Sequence, residues 1–440
     1  MKYPTIGHYL ETLANPHKMF RTLDGLAVER NAYGEFGFVS GNYAAVFRAE
    51  RNGRPVALKC YTRQVDHADE VYGYLKDIDS PYLIYCEYLP DEIYAYDESG
   101  NGRFFPVAVM PWIEGDSLDH LVAGACMEGD AGKLARLAGE FDRMALWLLS
   151  QEFAHGDLKP DNILVDERGR MKLIDYDGMF IPQLAGMPCS LVGSPAYRHP
   201  SRDARYFNEH IDDYSIAIIS ASLHALAENP SPYAIYNEGD NLVFNPAQIM
   251  AGESALLDEL EKEWLDGGKL TLYALCRMLR KPSPELPRLE YALRMLCGII
   301  DIPETCIVVD DTDSEAAIVH DGYFYGFADI FKGEMVTAPI FEDAKPFAGG
   351  VAPVKVDSYW RFIDMQGRKV LDCSRYDTVE PFREGYALVG RDGLYGFIDR
   401  AGEEVITPIY PFAQSFRNGR DRVRVGDEYE YIKYPERAAV

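Results

Sequence analysis

The stretch His155-Gly156-Asp157-Leu158-Lys159-Pro160-Asp161-Asn162 constrains this chain more than any other, together with Asp175, thirteen positions after Asn162 in Lys172-Leu173-Ile174-Asp175-Tyr176-Asp177. Read as chemistry, the set suits transfer of a phosphoryl group to a hydroxyl. A carboxylate at Asp157 orients the acceptor and takes its proton. The Lys159 ammonium neutralises charge building on the transferred group. The amide oxygen of Asn162 and the carboxylate of Asp175 are hard oxygen donors of the kind magnesium takes. A polar loop following a helix would not need these four in this order.

The order Asp, Lys, Asn, Asp at intervals of two, three and thirteen resembles the catalytic loop and metal-binding motif of the eukaryotic-like protein kinases of bacteria, serine/threonine type. Residues 31–300 resemble that family along nearly their whole length. The resemblance implies an α+β, bilobal fold, with a β-rich N-lobe over about 31–110 and a helical C-lobe over about 115–300. It also implies ATP and Mg2+ as cofactors and a protein substrate that presents a Ser or Thr acceptor. Residues 1–30 mix helical spacing (Tyr9, Leu10, Leu13) with Asn15-Pro16 and read as an extension packed on the N-lobe.

Within the N-lobe, Phe36 to Val39, Ala45 to Ala49 and Val56 to Lys59 alternate as three strands, the last two joined by an Asn52-Gly53 turn. A kinase folds glycines over the nucleotide phosphates between the first two strands. Here Gly41 alone holds such a position, with Val39 and Ala44 at the others. By the resemblance, Gly41, Val46, Ala57 and Lys59 bind nucleotide, and Lys59 in Val56-Ala57-Leu58-Lys59 holds the α- and β-phosphates. Its carboxylate partner from the next helix is assigned to Glu70, with Asp69 the alternative, although family spacing favours Val71. Phe105 to Ile113 reads as the strand leading to the hinge. There Met110 backs the adenine pocket, the Pro111 carbonyl accepts from the adenine amino group, and the Ile113 amide donates to the ring. Asp116 either reaches the ribose or caps the helix beginning at Ser117.

Leu134, Leu137, Phe141, Met144, Ala145 and Leu148 recur at helical spacing and read as core. Gly193 to Pro200 resembles the end of an activation segment, where peptide docks; Ser194 is placed to share a hydrogen bond with Asp157 and Lys159. Asp212 resembles the aspartate that fastens the catalytic-loop backbone. Three positions depart from the family. Gly156 replaces an arginine, leaving no cation there for a phosphate on the activation segment, in which Ser190 is the sole hydroxyl amino acid between Gly178 and Val192. Ser201 replaces a glutamate that pairs with a distant arginine. Asp177 replaces a glycine, and reads equally as a further magnesium ligand or a turn residue.

Residues 301–316 are acidic and loop-like (Asp310, Asp311, Asp313, Glu315) and read as a linker. Beyond it, Tyr325-Gly326-Phe327, Trp360-Arg361-Phe362 and Tyr395-Gly396-Phe397 recur every 35 residues, and Tyr429-Glu430-Tyr431 comes 34 later. In register with them, Phe347, Phe382 and Phe416 each precede a glycine by three. Alternating apolar residues broken by Gly-containing turns predict short antiparallel hairpins, with the aromatics as core. Residues 317–435 are similar to the WG-repeat module of bacteria, which implies an all-β repeat domain and a protein partner or a regulatory role.

The net charge of −26 disfavours binding of nucleic-acid phosphates or of an anionic membrane surface. Eight cysteines without a Cys-x-x-Cys pair, and an opening Met1-Lys2-Tyr3-Pro4 unlike a signal sequence, lead us to expect a cytoplasmic protein. The expected function is that of an ATP- and Mg2+-dependent serine/threonine protein kinase. Two rivals are a small-molecule phosphotransferase of the aminoglycoside-kinase type, which Gly156 favours and Lys159 with Gly193 to Pro200 opposes, and a pseudokinase scaffold.

Overall fold

The computed structural model describes residues 2–15, 19–310 and 315–433. Pro16, Asp311, Asp313 and residues 434–435 lie outside them. The chain divides into two compact units, Met1–Ser254 with Leu279–Glu290, and Ala255–Met278 with Tyr291–Val440.

In the first unit, helix α1 (Ile6–Ala14) precedes a six-stranded antiparallel sheet made of β1 (Ala27–Val28), β2 (Phe38–Ser40), β3 (Ala44–Arg51), β4 (Arg54–Tyr61), β5 (Glu87–Tyr96) and β6 (Gly102–Pro111). Its order is β1-β3-β4-β6-β5, with β2 paired to β3. The β3–β4 hairpin closes on Asn52 and Gly53, both at positive φ, the backbone that a two-residue turn between twisted strands requires. Phe47, Leu58, Ile93, Phe105 and Val107 form the core of one face, and Tyr9 and Leu13 of α1 are buried in it. The extension is tied down by Glu92. Its carboxylate, 2% exposed, accepts from Thr22 N, Thr22 Oγ1 and Leu23 N, each at 2.7 Å.

Helix α2 (Ala68–Leu75) follows β4. After the sheet come β7 (Gly115–Ser117), α3 (Leu118–Glu128), α4 (Ala131–Leu149), β8 (Ile163–Asp166), β9 (Met171–Leu173), α5 (Asp213–Glu228), α6 (Tyr233–Tyr236) and α7 (Pro246–Ala251). Helix α4 buries Leu134, Leu137, Phe141, Met144, Ala145 and Leu148, the face its spacing marks out. Helix α5 is apolar nearly all round and correspondingly buried. Its Ser220 and His224 both bond the buried Asp142 of α4, at 2.6 and 2.7 Å, which satisfies a carboxylate that the core would otherwise destabilise.

The second unit contains α8 (Ala255–Asp266) and α9 (Leu270–Leu279), and α10 (Leu289–Leu296) leads into it. Three four-stranded antiparallel sheets follow: β10 (Ile307–Asp310), β11 (Ala317–His320), β12 (Tyr325–Asp329), β13 (Glu334–Phe341); then β14 (Asp343–Ala344), β15 (Val351–Val356), β16 (Tyr359–Asp364), β17 (Lys369–Asp372); then β18 (Thr378–Val379), β19 (Tyr386–Arg391), β20 (Leu394–Asp399), β21 (Glu404–Tyr410). A two-stranded pair, β22 (Arg420–Val425) and β23 (Glu428–Lys433), ends the described part. The expectation of a loop-like linker over 301–316 needs correcting, because Ile307, Val308 and Asp310 pair as β10 with β11, Val309 forming a bulge. Three consecutive β-branched residues favour a strand, and the flanking acids disguised it.

Each repeat packs its aromatics at one spacing. Phe327 lies 4.6 Å from Phe347, Phe362 from Phe382, and Phe397 from Phe416, all ring centroid to centroid. The repeat glycine has a packing reason as well. A Cβ on Gly326 or Gly396 would press on backbone at Pro339 or Ile406, at 3.0 and 2.3 Å. The second repeat has Arg361 there, and its guanidinium reaches Asp266 at the end of α8 across 2.9 Å. Asp357 of the same repeat takes the Tyr273 hydroxyl at 3.0 Å and Arg277 at 3.2 Å, both from α9.

Candidate active site

Strands β8 and β9 form an antiparallel hairpin with Ile163 opposite Leu173. The loop before β8 and the residues after β9 therefore meet at one end, which puts Asn162 beside Ile174, whose N–H donates to the Asn162 carbonyl at 3.0 Å. Asp175 is the next residue. It adopts φ 66°, a left-handed backbone that side chains rarely hold. Asn162 donates from Nδ2 to the Asp157 carbonyl at 2.8 Å and to Asp157 Oδ2 at 3.3 Å. Asp157 Oδ1 accepts from the backbone N–H of Ser194 at 2.7 Å, so the Ser194 amide, and not its hydroxyl, makes this contact. The Lys159 ammonium lies 3.7 Å from Asp161 and is partly exposed.

Buried groups pin the loop from beneath. Asp212 accepts the N–H groups of His155 and Gly156, and burial raises its carboxyl above the usual range. Arg202 donates to the Gly156 carbonyl at 2.9 Å and to that of Ile211 at 3.2 Å. Gly156 sits at φ 80°, where a Cβ would fall 1.9 Å from the Gly178 carbonyl oxygen. An arginine cannot stand there in this conformation, which gives that departure its physical reason. Ser201 bonds the His199 ring at 2.7 Å, and the ring's Nε2 meets the Lys281 carbonyl at 2.9 Å. With Leu286 N–H on Asp213 at 2.9 Å, these contacts brace the helical part without the missing glutamate.

Lys59 is 6% exposed and lies between two carboxylates, Asp175 Oδ1 at 2.6 Å and Asp177 Oδ2 at 2.7 Å. Burial disfavours its ammonium, but the two anions outweigh burial and hold its pKa well above the ordinary value. Burial likewise pushes Asp175 up, yet Lys59 dominates and its carboxyl is lowered; Asp177, deeper, is raised by burial. Glu70, assigned above as the partner of Lys59, is a correction. Its side chain is 54% exposed and bonds the His67 ring at 3.3 Å, and the neighbouring Asp69 is exposed too. Helix α2 turns Val71 and Tyr72 inward instead, so the carboxylate comes from Asp177. The one trace of this exchange in the sequence is Val71 where family spacing favours the partner, together with the extra carboxylate at Asp177.

The strand register brings together residues that the sequence reading assigns to nucleotide. Val46 stands opposite Lys59 and Ala57 opposite Met110, and Ala57 and Lys59 are two apart on β4, so all four share one face of the sheet. Leu58, Phe47 and Val109 take the other, apolar face. Gly41 closes the β2–β3 hairpin by donating to the Ala44 carbonyl at 3.0 Å. Pro111 ends β6 opposite Val56, and Ile113 follows, half-buried. Ser117, and not Asp116, caps α3 through the His120 N–H; Asp116 lies 3.3 Å from the His120 ring.

This donor chemistry fits a magnesium nucleotide. Asn162 commits its amide nitrogen to Asp157, which leaves its amide oxygen as the group to offer a cation, while the Asp175 side chain is 46% exposed. Among the described residues no three His, Cys, Asp or Glu side chains could hold a metal by themselves. A pair of oxygen donors suits magnesium, which fills its remaining positions with phosphate and water.

Two family models match. That of the protein kinase domain covers residues 36–260; that of the WG containing repeat covers 325–360, 360–395 and 395–429. The chain is 25% identical over 248 residues to maternal embryonic leucine zipper kinase of Xenopus tropicalis, covering 55% of this chain and 35% of that protein. It is 37% identical over 98 residues to serine/threonine-protein kinase chk1 of Schizosaccharomyces pombe, with coverage of 22% and 20%. To serine/threonine-protein kinase PAK 1 of Mus musculus the identity is 28% over 200 residues, with coverage of 42% and 36%. The chain thus spans between 20% and 36% of the length of these three relatives.

Proposed function

The chain belongs to the protein kinase family, and we propose that it is an ATP- and Mg2+-dependent serine/threonine protein kinase whose WG repeats contact or regulate other proteins. One observation carries the reading. Asp157 is held through one oxygen by the Ser194 amide and through the other by Asn162. The segment suited to seating a peptide and the group suited to holding metal therefore meet on one carboxylate. A phosphotransferase for small molecules has no use for a peptide segment built into its base.

In this mechanism Asp157 accepts the proton of the acceptor hydroxyl as the new O–P bond forms. Lys159 neutralises charge that develops on the transferred phosphoryl. Lys59 holds the α- and β-phosphates, and Asn162 with Asp175 would hold Mg2+. The metal, when bound, supplies charge neutralisation and fixes the phosphate geometry. Val46, Ala57, Met110, the Pro111 carbonyl and the Ile113 amide receive the adenine. Lys159 two residues beyond the base and Gly193-Ser194-Pro195-Ala196-Tyr197 follow the serine/threonine pattern.

The test is labelled ATP offered with casein, with the protein itself and with a panel of sugars and amino alcohols. Phosphate should appear on serine or threonine, and Asp157→Asn should lower kcat about a thousandfold while nucleotide binding persists. Equal turnover in the variant, or transfer to small alcohols alone, overturns the reading.

A further inference from the structure

The two carboxylates around Lys59 are not equivalent. Asp177 is 5% exposed and engaged on both oxygens: Oδ2 takes the Lys59 ammonium at 2.7 Å, and Oδ1 accepts from the Tyr72 hydroxyl at 3.1 Å and the Tyr61 hydroxyl at 3.4 Å. The two hydroxyls are themselves 3.2 Å apart. Asp175 has the same ammonium at 2.6 Å but is 46% exposed. One carboxylate is locked into the protein, and the other is open to solvent. Helix α2 contributes no charge, since Glu70 points outward and Val71 is buried; it contributes a hydroxyl.

We propose that Asp177 is the permanent positioning residue for Lys59, replacing a helix carboxylate, and that Asp175 is the exchangeable partner released from Lys59 to serve the metal. The inference rests on the kinase reading for its catalytic consequence, though not for its geometry. Lys59 then stays aimed when Asp175 changes partner, because the ion pair to Asp177 and its two tyrosine donors are untouched. Displacement of α2 would reach the lysine through the Tyr72 hydroxyl, a neutral hydrogen bond donor, and not through a salt bridge. A hydrogen bond to a charged group is worth more than a neutral one, yet less than the pair itself, so this coupling is weak. The anchoring of Lys59 therefore tolerates movements of α2 that would break a direct helix-to-lysine ion pair.

The test uses the full chain and three substitutions: Asp177→Asn, Asp175→Asn and Glu70→Gln. The first readout needs no nucleotide and no turnover: the rate at which an amine-selective reagent labels Lys59, followed by peptide mass spectrometry. Asp177→Asn should raise that rate at least about fivefold, and Glu70→Gln should leave it within twofold. The second readout is steady-state kinetics at varied Mg2+. Asp177→Asn should lower kcat about a hundredfold with the Mg2+ concentration for half-activity unchanged within twofold, whereas Asp175→Asn should raise that concentration at least about tenfold. A tenfold rise in the Mg2+ requirement of Asp177→Asn would make it a metal ligand and overturn the proposal, as would Glu70→Gln matching it in either readout. Should Asp177→Asn not fold by circular dichroism, Tyr72→Phe replaces it, with labelling expected to rise about twofold and an unchanged rate counting against us. If the wild type phosphorylates nothing, the kinase reading fails while the labelling comparison still decides the role of Asp177.

Discussion

The Gly156 N–H donates to Asp212 Oδ1 across 2.9 Å and so joins the 155–162 loop to the residue just before α5. The other oxygen of Asp212 takes the His155 N–H, so consecutive backbone donors share one buried carboxylate. Asp212→Asn should expose the value of that arrangement. An amide presents an acceptor to one N–H and a donor to the other, leaving a buried pair opposed, at about 1–3 kcal/mol. We expect kcat to fall about tenfold to a hundredfold, with the KM for ATP changed less than threefold, because Lys59 and the sheet face are held elsewhere. Loss in KM alone, at full kcat, would contradict this.

A single added carbon at Gly156 should do more harm. The residue needs φ 80° and leaves 1.9 Å between a would-be Cβ and the Gly178 carbonyl oxygen. Gly156→Ala must therefore displace either the loop or the segment after Asp175. Activity is expected to drop at least about a hundredfold, since a shift near 1 Å at a reacting group has that effect. Hydrogen exchange over 155–162 and 176–180 should rise with it. Retained activity would mean the loop adopts another backbone when it works.

How much of the fold and site is legible in the sequence depends on whether the signal is local. The β3–β4 hairpin can be read because Asn52-Gly53 is a turn by its own backbone preferences. The repeats can be read because one packing rule, Phe327 on Phe347 and its two copies, recurs in sequence as it does in space. Strand β5 is not legible: Pro90, Asp91 and Glu92 break its alternation, the pairing shifts register between Leu89 and Ile93, and the buried Glu92 looks like a loop residue until Thr22 and Leu23 close on it. The partner of Lys59 is hidden for the same reason. Glu70 and Asp177 are both carboxylates, and only the turn of α2 separates the one on the surface from the one beneath.

The repeat cores should behave as separate packing units. Phe382 is 6% exposed, packs against Phe362 and lies under the Arg400 guanidinium, 5.1 Å from its ring centre. Phe382→Ala removes a buried aromatic and should cost about 3–5 kcal/mol. Phe382 shares one core with Trp360, Phe362, Val389 and Ile398, and in such arrays each repeat contacts only its neighbours, so faster hydrogen exchange should concentrate in 351–399 and leave α4 and α5 protected. Uniform loosening of the whole chain would refute independent packing.

Asp421 gives a pH dependence whose sign is fixed. It is 2% exposed, Oδ1 accepts from Gln414 N at 3.0 Å, and Oδ2 has no hydrogen-bond partner among the described residues. Burial pushes its carboxyl up to about 6 from the ordinary 3.8. A group raised on folding binds its proton more tightly in the folded state, so it costs nothing below pH 3.8 and its full penalty is reached only above pH 6. That penalty is at most about 3 kcal/mol at neutral pH. Asp421→Asn keeps the shape and the acceptor but removes the charge, so it should stabilise the β22–β23 pair at pH 7.5. Between pH 7.5 and pH 5 the advantage of the variant should shrink by about 1 kcal/mol, measured as the difference in urea midpoint, or in hydrogen exchange of 413–425, between variant and wild type. An advantage that grows as the pH falls would require an ionised Asp421 that the fold favours, contrary to its unpartnered oxygen.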